Sequence, residues 1–259
     1  VFAGATAGIA CLAKYAGVYF LSGVLLGAIL LPKMRLSVLH WTTLLCAFLL
    51  VIGPNVAWNL SNDMAPVSHT MDNVGWVRDD TVTDGLNPAG LAEFFLSQFA
   101  VFGPLLFVAL MVATRQRANW RLLVFAVPAI AIVCGQALID RAYANWAASA
   151  YFAGTVVAVA ALASRPRLMA ASLVINGVVA LILPALTLMP GLTLGRSEPL
   201  IARYLGQAAL SRQILDLATR HDVPVVAARR DVLADLFYTG RDTRVVILAV
   251  LPKGRPQNH

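Results

Sequence analysis

Residues 122–139 read LLVFAVPAIAIVCGQALI, a run without a charge that is closed by Arg121 on one side and Asp140 on the other. A helix needs about 20 mostly apolar residues to cross a hydrocarbon core roughly 30 Å thick, and this run meets that requirement. Working outward from it, five more runs of the same kind appear at Phe2–Leu31, Leu36–Trp58, Leu91–Ala113, Ser149–Ala163 and Leu168–Met189. The run at 149–163 is short and must extend outward through Asn145 and Trp146. The first would be about 45 Å long as one helix, so it is tilted, or broken near Lys14 and Gly17. Composition agrees with this reading. AVILMFWYC residues make up 59% of the 259, charged residues 13%, and mean hydropathy is +0.74. These values exclude an ordinary soluble domain, which carries roughly 25% charge.

The connections set the orientation. Lys33 and Arg35 follow the first run, Arg115, Arg117 and Arg121 the third, and Arg165 and Arg167 the fifth. The alternate connections differ: 59–90 carries Asp63, Asp72, Asp79, Asp80 and Asp84 against one arginine, and 140–148 opens on Asp140 beside Arg141. The positive-inside rule places the basic loops in the cytoplasm and the acidic ones outside. All six runs obey it. Residues 191–259 then fall outside, in a periplasm if the organism is Gram-negative. The expected fold is an α-helical polytopic membrane protein of about six spans over 1–190, followed by a small α/β domain.

That tail reads as a helix over Pro199–Arg220, a strand at Val223–Ala227, a short helix capped by Asp231 and ending at Gly240, and a β-rich run at Arg244–Leu251. The unit wants more strands than it has. With Val1 in place of a Met and no signal-peptide pattern, the chain reads as a piece of something longer, cut at both ends. The tail has no G-x-G-x-x-G and no P-loop.

The net charge of +7 does not point to nucleic acid, because the cations sit in short clusters between apolar runs. Cys11, Cys46 and Cys134 all lie within those runs and read as small buried hydrophobes.

Lys14 is the one Lys or Arg within a run, and such a group is a functional hypothesis by default. Seventeen residues before Leu31, it lies about 25 Å from the cytoplasmic end, at the depth of an outer-leaflet headgroup. Two readings stand: it neutralises a lipid phosphate or pyrophosphate, or it snorkels to the interface without a ligand. In the loop after the second run, His69 with Asp63, Asp72 or Asp79 could hold a divalent cation or move protons; a plain solvated acidic loop is the competing reading. Trp58, Trp76 and the aromatics of 143–151 suit an interfacial belt as well as a sugar platform.

Four segments in order carry a resemblance. They are Gly8-Ile-Ala-Cys-Leu-Ala-Lys14-Tyr15; Pro54-Asn-Val-Ala-Trp58-Asn59 with Val67-Ser-His69-Thr and Asn73; Ala144-Asn145-Trp146 through Tyr151; and Val223 to Tyr238. Together they resemble the C-terminal two-thirds of bacterial membrane glycosyltransferases of the C-type fold. That group includes the aminoarabinose lipid A transferase, the protein O-mannosyltransferases and the rhizobial galacturonosyl transferases. The resemblance implies inverting transfer of a sugar from a polyprenyl-phosphate donor to a lipid or protein acceptor, on the outer face of the inner membrane. It places Lys14 at the donor phosphate, His69 in the active cavity, and Asn59 and Asn73 nearby. Tyr15, Asn145 and Trp146 go with them as substrate contacts. The family's general base lies upstream of Val1, so this chain alone is expected to be inactive. The rival is a non-enzymatic membrane protein, a lipid-carrier transporter or an assembly scaffold. A transporter should show internal repeats, and none is visible.

Overall fold

The computed structural model describes residues 1–62, 64, 85–140, 142–193, 195 and 198–250. Helices occupy all six apolar runs, but they are not six uniform spans. Three are long and apolar enough to cross a membrane: α3 (Val38–Ser61), α6 (Trp120–Ile139) with the helical turn before it, and α8 (Pro166–Leu188). A fourth crossing exists if α4 (Pro88–Val101) and α5 (Pro104–Ala113) form one broken span, for they meet at 111°. The remaining helices are shorter: α1 (Phe2–Ala13), α2 (Val18–Leu30) and α7 (Ala150–Leu162). The chain is a helical membrane protein.

The first run is broken rather than tilted. Lys14 has extended backbone between α1 and a single helical turn at Tyr15–Gly17. Gly17 lies directly against the backbone of Ala10 and Cys11, so the chain folds sharply back. Neither half is an unsupported helix. Gly4 and Gly8 set α1 against α3, meeting first Leu44 and Ala47 and then Phe48 and Val51, so α1 and α3 run parallel. Gly23 and Gly27 set α2 against Val124 and Phe125 of α6, with Phe20 stacked on Phe125 at 5.4 Å. Both pairs are G-x-x-x-G steps. In lipid there is no hydrophobic gain from bringing two helices together, so close backbone approach over small residues supplies the attraction.

The same device builds the centre of unit 1. Ala126, Ala129, Ala150 and Ala158 are fully buried where α6 and α7 pack, and Ala137 is fully buried where α6 meets the start of α4. Phe102, Phe107, Leu110, Leu123, Val157 and Leu162 fill the space between α5, α6 and α7.

The corner at Phe102–Gly103 divides the third run. Gly103 has φ +95, a backbone conformation that residues with a Cβ rarely adopt, and the Asn176 carboxamide lies where a Cβ would go. Gly103→Ala is expected to destabilise the chain by roughly 2–4 kcal/mol, strain and overpacking combined. Gly135→Ala, at a position with nothing within 4 Å, is the matched control. Unfolding in detergent that treats the two alike would refute this account of the corner.

The chain divides into two compact units, Val1–Gly177 and Val178–Gln257, parting within α8 rather than at residue 190. In the second, the helix expected over 199–220 starts only at Gln207: a left-handed Gly206 precedes α9 (Gln207–His221), and 199–206 is irregular apart from a turn at Ala202–Tyr204. β1 (Val225–Ala227) and β2 (Ile247–Ala249) pair in parallel across α10 (Arg230–Thr239), with Val225 opposite Ile247. Leu236 of α10 is completely buried, and Gly240 caps that helix as expected. Asp231 does not. Arg229 holds the cap position, and Asp231 sits in the first turn, accepting hydrogen bonds from the Arg229 guanidinium at 3.1 and 2.5 Å. Those bonds hold its carboxyl below the usual carboxylate range.

Candidate functional site

Unit 1 has two chemically different ends. α2 runs antiparallel to α6, since Tyr19 packs near Ile130 and Gly27 meets Val124. α5 and α7 finish together, because Ala113 and Gln116 line one groove with Ala161, Leu162 and Arg165. The three basic connections, 31–37, 114–121 and 163–167, therefore gather at one end. The Lys14 corner, the end of α3 at Asn59, Asp140 and the turn at Ala144–Ala147 gather at the other.

At that second end, Lys14 is exposed on the corner. Its N–H donates to the Ala10 carbonyl at 2.9 Å, and its carbonyl accepts from Gly17 N–H at 2.8 Å. No ion pair among the described residues involves it. Lys14 is thus a rim group at a break between helices, not a cation inside one. Tyr15 follows it, also exposed.

Asn59 is only 3% exposed. Its Nδ2 donates to the carbonyl and Oδ1 of Asn55, at 2.8 and 3.1 Å, while its own Oδ1 is buried without a partner among the described residues. A buried carbonyl oxygen left unpaired costs about 1–3 kcal/mol, and such groups call for an explanation. Asn145 is exposed, and half-buried Trp146 packs edge-on to Tyr143 at 5.4 Å. His69 and Asn73, with Asp63, Asp72, Asp79 and Trp76, lie outside the described residues. Among the described residues, no group of three or more His, Cys, Asp or Glu could hold a metal ion.

Between the corner and the later helices lies an apolar cavity of about 330 Å³. Thr6 and Ala10 of α1, Ala16 and Gly17 beside Lys14, Tyr19 and Phe20 of α2, Phe125 of α6, and Ser149 with Phe152 and Ala153 line it. The Ser149 hydroxyl is buried there without a partner. Ala16 and Gly17, close after Lys14, and Ser149, close after Trp146 in the 145–149 stretch, thus line one cavity.

A residue that sequence reading missed holds that stretch in place. Gln98 is fully buried on α4; its Nε2 donates to the carbonyls of Phe94 and Ala144 and to Ser97 Oγ, at 2.8, 3.2 and 3.0 Å. Its Oε1 accepts from the Tyr151 hydroxyl, and Tyr151 stacks on Phe102 at 4.1 Å. Nearby, Asn87 donates through Nδ2 to the Asp140 carbonyl at 2.7 Å while its Oδ1 caps α4 at Gly90. The signal was present: a glutamine amid Phe94–Phe102 is an amide in an apolar span. A search for ionisable groups within runs, or within the four resembling segments, passes over it.

Comparison with curated proteins finds the lipid A galacturonosyltransferase RgtD of Rhizobium johnstonii, 36% identical over 262 residues. The match covers 97% of this chain and 54% of the relative, so the chain spans about half the length of the curated protein it matches. No protein-family model matches the chain, and no solved structure does.

Proposed function

We propose, on the premise that this chain is a relative of a membrane glycosyltransferase of the type its motifs resemble, that it is the donor-holding part of an enzyme that adds a sugar to lipid A. The donor is a polyprenyl-phosphate sugar, and galacturonic acid is the sugar that the relative's name suggests. The chemistry takes place at the outer, periplasmic face of the inner membrane. The basic end lies in the cytoplasm and residues 191–259 outside; because the first run folds back to the basic end, the five later runs make the through-crossings. Lys14 meets the donor phosphate from the rim. The adjoining apolar cavity takes the first isoprene units. Asn59, His69 and Asn73 border the sugar, with Tyr15, Asn145 and Trp146 around them.

The observation that carries the reading is the pairing of a cation, unpaired among the described residues, with an apolar cavity at the end opposite the arginines. A lipid phosphate needs both, a charge for its head and a dry slot for its tail. In the transfer the acceptor oxygen bonds to the anomeric carbon as the bond from that carbon to the phosphate oxygen breaks, the polyprenyl phosphate departs with the electron pair, and the cavity's role is to hold that lipid so that the anomeric carbon is placed.

The test is the mass spectrum of lipid A from cells that express the full-length protein. One added uronic acid is expected, and it should disappear when synthesis of the polyprenyl donor is blocked. Ala153→Phe, which fills the cavity, should reduce the product at least about tenfold at unchanged protein level. Lipid A of unaltered mass would remove the transferase reading. Full transfer by the filled variant would remove the cavity from it.

A further inference from the structure

We infer that the basic end of unit 1 carries a specific binding site for an anionic phospholipid, separate from the candidate donor site. Beneath the ends of α5 and α7 lies a groove of about 230 Å³. Leu105, Val108, Val112 and Leu168 form its walls, and Gln116 and Arg165 stand among its lining residues. It is larger than the roughly 150 Å³ cavity that accepts a benzene ring. An apolar slot bordered by an amide and a guanidinium fits an acyl chain that ends in a phosphate.

Charge chooses among lipids. The two connections that flank the groove carry Arg115, Arg117, Arg121, Arg165 and Arg167, and no Asp or Glu occurs in 113–121 or 162–168. Among the described residues every ion pair lies in the second unit, so these five arginines have no carboxylate partner. Topology alone asks for positive loops, but it does not ask for a groove beside them. Nor does it ask for a fixed platform. The 114–120 turn is pinned by Asn119 Nδ2 on the Ala113 carbonyl at 3.2 Å and on Gln116 Oε1 at 3.3 Å, and by Trp120 Nε1 on the Thr114 carbonyl at 3.1 Å. A pinned turn lets Arg115 and Arg165 face one headgroup with little ordering cost. Guanidinium groups suit the phosphate through paired, charge-assisted hydrogen bonds. A zwitterionic lipid offers the same phosphate but adds a cation, which five arginines disfavour.

The test is native mass spectrometry of the chain in a neutral detergent, titrated with phosphatidylglycerol or with phosphatidylcholine. One phosphatidylglycerol should be retained at least about tenfold more tightly than phosphatidylcholine. Arg115→Gln with Arg165→Gln should bring that ratio near one, whereas Lys33→Gln with Arg35→Gln, at the same end but off the groove, should leave it. All four side chains are exposed, so folding is not at stake. Val112→Trp, an exposed position on the groove wall, should also abolish retention. The inference fails if the wild type shows no preference. It fails equally if both charge pairs reduce the ratio alike, or if the filled groove still holds the lipid.

Discussion

Lys14→Ala in the full-length protein is expected to lower kcat/KM for the polyprenyl-phosphate donor by about 10–100-fold. The estimate rests on one charge-assisted contact worth about 1.5–3 kcal/mol. Donor affinity falls because the phosphate loses its cation. The rate falls too, because the same phosphate gains charge as the sugar leaves, and a fixed positive group stabilises that charge where it develops. Lys14→Arg should recover most of the loss. The corner itself should survive the change, since its hydrogen bonds run through the backbone at Ala10 and Gly17, so thermal unfolding should not move. Steady-state kinetics with varied donor check the prediction. An unaltered kcat/KM would leave Lys14 as an interfacial lysine with no ligand.

Gln98→Leu is expected to cost about 2–3 kcal/mol of stability. The leucine fills the volume, but the Ala144 carbonyl and the Tyr151 hydroxyl lose a partner in a place water does not reach. Tyr151→Phe should cost less, about 1 kcal/mol, because it strands only one acceptor. The double variant should fall short of the sum, and the shortfall measures the contact. Denaturation in detergent supplies the three numbers. Strict additivity would mean that the amide and the phenol do not act together. If the turn at Ala144–Ala147 positions substrate, the same variant should also raise KM for donor at temperatures where the protein stays folded.

Much of the architecture was legible in the sequence. Apolar runs and their flanking charges follow from the cost of placing polar groups in hydrocarbon, so residues 2–189 announced a helix wherever one is found. The breaks were harder to place, although the length of the first run offered one near Lys14 and Gly17 as the alternative to tilt. A kink at Lys14 and a 111° corner at Phe102–Gly103 cost nothing in hydropathy, and only the packing against Ala10 or Asn176 shows why the chain turns there. Gly4-x-x-x-Gly8 and Gly23-x-x-x-Gly27 could have been read as contact faces, since small residues four apart are what close helix pairs in lipid require. In the tail, periodicity placed the start of α9 eight residues early, because apolar side chains at 200, 201 and 205 fit a helix that the left-handed Gly206 does not allow. The candidate site was half legible. Lys14, Asn59 and the 145–146 turn do share an end, whereas Gln98 is uncharged and lies outside the four resembling segments, so neither route reached it.

The fold-back at Lys14 makes the α1–α2 arm resemble a hairpin spring clipped at both legs, one against α3 and the other against α6. Such an arm has little freedom to slide along either neighbour. Where the tip comes to rest is set by the glycine steps on its legs, several turns from the amine. The reach of this lysine towards a lipid is therefore inherited through positions that never touch one.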